Sequence, residues 1–377
     1  MNNGLRPSER DSGIELLKAV AAFMIVLGHC TLTLHGQSLL MPLEGGAVEG
    51  GVPTRSAQLL LLNLFRYGAK FSNNVFIIAS TWFLADSRTW RKHKWLTILF
   101  EYWLFSWVFM ALALLIRGGD VSRSALLTSL FPFSMMGNWF ISAYLIIYPL
   151  HPIMNKALGS LGQRRHLRLA LGATLMYFGM GFFEDVFFYN RLVLWIVMYI
   201  DVVYIKRYAR DFCESTRKNA IALAAGVFGW IGIVLTANYL GLNSELFALV
   251  PGKWIRNTNP FPVIVAFALF NLLRGRGLRN PAINYMSGLS MLIYIIHENI
   301  MVRGYFRPWA VNLLRERFPG IQPLPTVLLL TLAVLTGTLA IAVAYERLLK
   351  RHLVKLAGKC TLLACRVWPK IEDRIIK

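Results

Sequence analysis

Ten apolar runs, at residues 16–34, 71–84, 95–116, 139–154, 169–183, 192–205, 220–240, 261–273, 282–301 and 327–345, alternate with basic connecting stretches along the 377-residue chain. A helix needs roughly 20 apolar residues to cross a bilayer; the second, sixth and eighth runs are shorter, so they must borrow flanking residues or lie obliquely. Composition agrees with membrane residence. Hydrophobic residues make up 56% and charged residues 16%, with a mean hydropathy of +0.51, where average domains carry about 45–50% and about 25%. The expected fold is an all-α integral membrane protein of about ten transmembrane helices with cytoplasmic N- and C-termini.

A net charge of +21 raises the question of nucleic acid, but its distribution points elsewhere. With a cytoplasmic N-terminus, 27 of the 40 Lys and Arg fall in the N-tail, the inner connections and the C-terminal tail, 12 fall outside, and Lys18 lies within the first run. This is the bias that orients membrane proteins, and the same cations attract anionic lipid. Membrane lipid is an expected partner and nucleic acid is not. The longest connection, 35–70, lacks a core pattern, so no soluble domain is expected. The chain divides into a cytoplasmic N-tail, 1–15, a membrane domain, 16–346, and a basic cytoplasmic tail, 347–377. In that tail Arg347, Lys350, Arg351, Lys355 and Lys359 among Leu and Val read as an amphipathic helix on the inner leaflet. The outer stretch 302–323 departs from the charge bias with Arg303, Arg307, Arg315 and Arg317, which suit either an anionic acceptor or lipid headgroups.

Leu27-Gly28-His29-Cys30 resembles a lipoprotein cleavage box, yet a bulky His precedes the Cys and nine further runs follow, so the segment reads as a retained helix. The four cysteines, Cys30, Cys213, Cys360 and Cys365, show neither metal-ligand spacing nor a disulfide framework. No metal is expected.

Chemistry concentrates in the first run. Lys18 and His29 lie eleven residues apart, about three turns, which places a cation and an imidazole on one helix face about 16 Å apart. Glu15 stands one turn before Lys18, where an i,i+3 ion pair forms. Ionisable groups inside lipid are costly and tend to mark function. An intramembrane His is either a hydrogen-bonded packing element or a general base. A cation at the cytoplasmic end of its face is where the phosphates of a coenzyme thioester would rest, with the acyl chain directed toward the imidazole.

The segment from Gly13 through Glu15 and Lys18 to His29 resembles the signature of the membrane acyltransferase-3 family: an acidic residue, then Arg or Lys, ten intervening residues and His. Asn138-Trp139-Phe140-Ile141 with Tyr144, Tyr148 and Pro152 is similar to that family's middle Trp-Phe segment. The stretch from Ser290 through Tyr294 to His297-Glu298-Asn299, with Arg303, is similar to its late segment. The resemblance implies a ten-helix fold, a cytoplasmic N-terminus and use of acyl-coenzyme A to modify carbohydrates. Two departures stand out. Thr81 replaces a glycine in Ser80-Thr81-Trp82-Phe83-Leu84, and Arg91, Lys92 and Lys94 replace paired arginines, so donor phosphates would meet point charges more than bidentate forks.

The site expected from these matches has His29 as general base or transient acyl carrier. Lys18, Arg91 and Lys94 would hold the donor phosphates, with Glu15 orienting Lys18. Asn138, Trp139, His297, Asn299 and Arg303 would line the acceptor. On an ideal helix His297 and Glu298 point about 100° apart and form no dyad, whereas Asn299 and Arg303 share a face. Glu101 inside the third run is expected to face a cavity or to pair with Lys94 or another cation. Glu184, Asp185 and Arg191 fall in a short outer loop, where they either meet the acceptor or, the favoured reading, are solvated loop charge.

The expected function is transfer of an acyl group, acetyl first, from acyl-coenzyme A at the cytoplasmic face to a hydroxyl of a cell-surface or lipid-linked carbohydrate. It would take place in a bacterial inner or plasma membrane, with separate glycan-assembly proteins as possible partners. The alternative is a transporter or flippase for an anionic metabolite or lipid-linked sugar. That would also want buried cations, but the chain shows no internal repeat of the kind many carriers carry.

Overall fold

The computed structural model describes residues 10–36, 57–181, 191–243 and 258–367, and among these it holds helices and no strands. In chain order the helices are α1 (Ser12–Gly36), α2 (Ala57–Leu84), α3 (Lys92–Arg117), α4 (Arg123–Leu130), α5 (Trp139–Gly159) and α6 (Gln163–Thr174), which runs into a π-helical turn at Leu175–Met180. There follow α7 (Arg191–Tyr208), α8 (Arg210–Glu214), α9 (Thr216–Asn243), α10 (Phe261–Leu273), α11 (Pro281–Gly288) and α12 (Ser290–His297). A second π-helical turn at Val302–Phe306 precedes α13 (Arg307–Arg317), α14 (Pro323–Leu348) and α15 (Lys350–Val367). Among the described residues four stretches, Ser12–Leu34, Lys92–Arg117, Thr216–Ala237 and Pro323–Leu348, are long and apolar enough to cross a membrane, and Phe261–Leu273 is a shorter apolar helix.

Three expectations change. The connection 35–70 becomes helical from residue 57 onward: Arg66 and Lys70 interrupt the apolar run but not the backbone ladder of α2. The rest of that connection, 37–56, and Glu184 and Asp185 lie outside the described residues. The run 282–301 is broken, α11 ending at Gly288 and α12 at His297. Finally, Arg307, Arg315 and Arg317 sit on a helix, α13, where a loop was expected.

The chain forms two units, each assembled from three stretches: Met1–Phe83, Gln163–Ser290 and Arg307–Leu335 in the first, Leu84–Gly162, Met291–Phe306 and Thr336–Lys377 in the second. In the first unit α1 packs on α10, α11 and α13, and α9 pairs along α10. The start of α1 is fastened by polar contacts. Asp11 caps it, its Oδ1 accepting from the Gly13 N–H at 2.9 Å, while its Oδ2 accepts from the Gly275 N–H at 2.6 Å. The Ser12 hydroxyl donates to Asn284 Oδ1 at 2.8 Å and accepts from the Asn280 N–H at 2.7 Å. Gly13 permits this closeness, since a Cβ there would lie 2.1 Å from the Leu273 carbonyl oxygen.

The second unit is organised around α3, which packs on α4, α5 and α15. Two prolines inside α5 explain how α3 and α5 engage. Pro149 has no N–H to offer the Leu145 carbonyl one turn back, and the Trp95 indole N–H fills the vacancy at 2.7 Å. Pro152 likewise leaves the Tyr148 carbonyl, which takes a hydrogen bond from Nδ1 of His151. Asn138 caps the start of α5, accepting from the N–H groups of Phe140 and Ile141 at 3.2 and 3.3 Å.

Candidate active site

In the first unit the ion pair expected on α1 is present: Lys18 Nζ lies 2.8 Å from Glu15 Oε2. Both residues are withdrawn from solvent, at 6% and 5% exposure. Burying two charges is costly, and the cost is offset only when each faces the other at close range; an i,i+3 spacing on α1 provides that geometry. Eleven residues on, His29 is partly exposed, and its own carbonyl accepts from the Thr33 hydroxyl at 3.0 Å. The preceding Gly28 lets α1 close on α2, where a Cβ at this position would lie 2.4 Å from Ala69 Cβ. Glycine next to the imidazole therefore sets how near α2 runs to His29.

Near the end of α2 the same unit holds a cluster that the sequence did not single out. Lys206 Nζ donates to the Trp82 carbonyl at 2.6 Å and lies 5.1 Å from the centre of its ring. The Arg274 guanidinium lies 4.5 Å from that ring and Phe270 packs beside it at 5.4 Å. Thr81, which stands where the resemblance leads one to expect glycine, is fully buried, and its hydroxyl finds no hydrogen-bond partner among the described residues.

In the second unit Arg91 and Lys94 meet at Tyr148 of α5. Lys94 Nζ sits 5.3 Å from the centre of the Tyr148 ring, and the Arg91 backbone N–H donates to the Tyr148 hydroxyl at 3.4 Å. Asn138 is buried, and besides capping α5 its side-chain N–H reaches the Tyr294 carbonyl at 3.5 Å. Its backbone N–H donates to the Tyr102 hydroxyl, which in turn donates to the Pro132 carbonyl at 2.9 Å. Trp139 is partly exposed and stands edge-on to Phe140 at 5.5 Å.

The late segment is arranged differently from an ideal helix. The α-helical ladder stops at His297, and Asn299 restarts the chain by accepting from the Met301 N–H at 2.9 Å. The Glu298 N–H still donates to the Tyr294 carbonyl at 3.3 Å, and His297 and Glu298 nevertheless present a ring nitrogen and a carboxylate oxygen within 4.8 Å of each other. The His297 Nδ1–H donates to the Ile293 carbonyl at 2.6 Å. Glu298 Oε2 faces Arg303 NH1 at 3.8 Å, and the Asn299 side-chain N–H reaches the Ser106 hydroxyl at 3.5 Å. Arg303 and Asn299 do share a turn, the Arg303 N–H donating to the Asn299 carbonyl at 2.9 Å. Glu101 accepts from the Tyr345 hydroxyl at 3.0 Å, and the charge of Lys350, a cation other than Lys94, also acts on it.

The structure thus gathers Glu15, Lys18 and His29 in one unit and Arg91, Lys94, Asn138, Trp139, His297, Asn299 and Arg303 in the other. Tyr102, Ser106 and Tyr345, which hold Asn138, Asn299 and Glu101, went unmarked in the sequence. Nothing in a single sequence distinguishes a positioning tyrosine from a packed one. Outside the spans, burial pushes the Cys213 thiol up, with Arg274 acting the other way, so it is a poor nucleophile.

Helices long and apolar enough to cross a bilayer, one of them carrying a buried ion pair and a histidine, are those of a membrane protein. Residues 11–344 match the family model described as "Acyltransferase domain", and the chain belongs to that acyltransferase-3 family. No curated protein and no solved structure matches the chain.

Proposed function

We propose that this membrane acyltransferase moves an acyl group, acetyl in the simplest case, from acyl-coenzyme A at the cytoplasmic face to a hydroxyl of a cell-surface or lipid-linked carbohydrate. One observation carries the reading. Helix α1, inside the family match, buries the Glu15–Lys18 pair and bears His29 about 16 Å further along. Our reading makes it a multi-pass protein of a bacterial inner or plasma membrane, with about ten spans and both termini cytoplasmic.

In direct transfer a ring nitrogen of His29 takes the acceptor's hydroxyl proton as that oxygen attacks the thioester carbonyl. The C–S bond breaks, and the coenzyme leaves as a free thiol carrying the proton. In the covalent variant the imidazole itself attacks the thioester, releases the thiol and then hands the acyl group to the acceptor, which gives ping-pong kinetics. Lys18, oriented by Glu15, supplies charge for the donor phosphates together with Arg91 and Lys94. Asn138, Trp139, His297, Asn299 and Arg303 line the acceptor, and separate glycan-assembly proteins deliver or collect it.

The test is release of free thiol from acetyl-coenzyme A by the purified protein in lipid with an envelope-glycan acceptor, parent against His29→Ala. Release that needs the acceptor and disappears in the variant supports the reading. Equal release from both removes His29 from the mechanism, and no release with any acyl donor favours a carrier of anionic metabolites or lipid-linked sugars instead.

A further inference from the structure

The donor proposed above is a polyanion, and within the first unit Lys18 is poorly placed to meet it alone. Its charge is already matched by Glu15 at 2.8 Å, so the pair carries no net charge. Arg274 is a different kind of cation. It stands at the end of α10, its guanidinium lies on the Trp82 ring, and its Nε is buried with no hydrogen-bond partner among the described residues. A guanidinium has five N–H groups in a planar fork suited to phosphate, and stacking on an aromatic face fixes that plane without using them. Lys206 approaches the same indole, so the two charges lie within about 10 Å of each other and repel.

Arg10 adds to the basic character of this unit: its Nε is likewise buried and without a partner among the described residues, and its charge acts on Lys18. The chain itself ties this start of α1 to the end of α10, through Asp11 on Gly275 and through Gly13 against Leu273.

We infer that Arg274 and Lys206, held by Trp82, form a phosphate-binding subsite for the nucleotide end of the thioester donor. This rests on the acyl-coenzyme A reading and gives the first unit its own contribution to donor binding. The indole is the platform that holds the cations, and the phosphates contact the guanidinium and ammonium groups.

The probe is adenosine 3′,5′-bisphosphate, which has the phosphorylated adenosine of the donor but no thiol. Its binding to the protein in lipid nanodiscs is measured calorimetrically for the parent, Arg274→Gln, Arg274→Lys, Lys206→Gln and, as a charge-loss control on α15, Arg351→Gln. The KM and kcat for acetyl-coenzyme A are measured in parallel. Arg274→Gln and Lys206→Gln are expected to weaken binding about tenfold or more and to raise KM by a similar factor while kcat stays within about twofold. Arg274→Lys should fall between, and Arg351→Gln should match the parent. A purely structural role would lower melting temperature and kcat and leave the Kd of the folded fraction alone. Unchanged binding in folded Arg274→Gln and Lys206→Gln overturns the subsite while thiol release by the parent keeps the acyltransferase reading. A parent that neither binds the nucleotide nor releases thiol overturns both.

Discussion

Lys18 Nζ and Glu15 Oε2 face each other at 2.8 Å across one turn of α1, with neither side chain open to solvent. Each charge is tolerated there because of the other. Lys18→Met leaves a bare buried carboxylate and Glu15→Gln a bare ammonium, and each single change should cost about 3–5 kcal/mol. The double variant should cost clearly less than the two singles combined. Thermal unfolding of the detergent-solubilised protein reads the cycle; strictly additive losses would mean the pair does not interact.

Gly28 is a point of close approach between α1 and α2. Gly28→Ala puts a methyl 2.4 Å from Ala69 Cβ, so the helices must part, at about 1–3 kcal/mol. Because His29 is the next residue, acyl transfer should suffer more than stability. Ala69→Gly in the same chain removes the overlapping atom and should recover most of both. Failure of that second change to restore activity would place the role of Gly28 elsewhere.

The Tyr345 hydroxyl is the donor at 3.0 Å to a Glu101 carboxylate that is 5% exposed. Tyr345→Phe strands that carboxylate and should destabilise by about 1–3 kcal/mol or more. Adding Glu101→Gln, which needs no compensation of charge, should recover part of the loss. Melting temperatures of the three variants decide it.

Pro149 and Trp95 make a matched set. Trp95→Phe leaves the Leu145 carbonyl without its donor and should cost about 1–3 kcal/mol. In that background Pro149→Ala supplies the backbone N–H which the proline withheld, and the helix can close its own ladder. A Pro149→Ala change that brings no recovery in the Trp95→Phe chain would sink this account.

Helix positions were legible along several of the unbroken apolar runs. The run 261–273 became Phe261–Leu273, and 95–116 became Lys92–Arg117 with only the ends extended. Hydropathy failed where a charge or a cap intervened. Arg66 and Lys70 hid half of α2, because the eye reads a charge as the end of a span while the backbone ladder is indifferent to it. The break after His297 was invisible, since it comes from Asn299 turning its side chain onto the Met301 N–H, a local choice that no periodicity encodes.

The site was legible to the same degree. The i,i+3 spacing of Glu15 and Lys18 gave their contact directly, because both lie on one continuous helix. The partners of Glu101 and Trp82 lie far along the chain, at Tyr345 and at Lys206 and Arg274, and only the fold brings them together. Those two cations had been counted as topology charge, a role that does not prevent a second one.

Each unit draws on early and late sequence: Met1–Phe83 needs Arg307–Leu335, and Leu84–Gly162 needs Thr336–Lys377. During synthesis, then, the first unit cannot finish packing until Arg307–Leu335 has been made, nor the second until Thr336–Lys377 has. The early helices must wait in the bilayer with their partners still unmade, α1 holding its buried ion pair before α13 exists to cover that helix. Such interleaving rules out separate secretion or expression of either unit as a contiguous fragment, and it makes the final third of the chain the step that commits the whole to its native state.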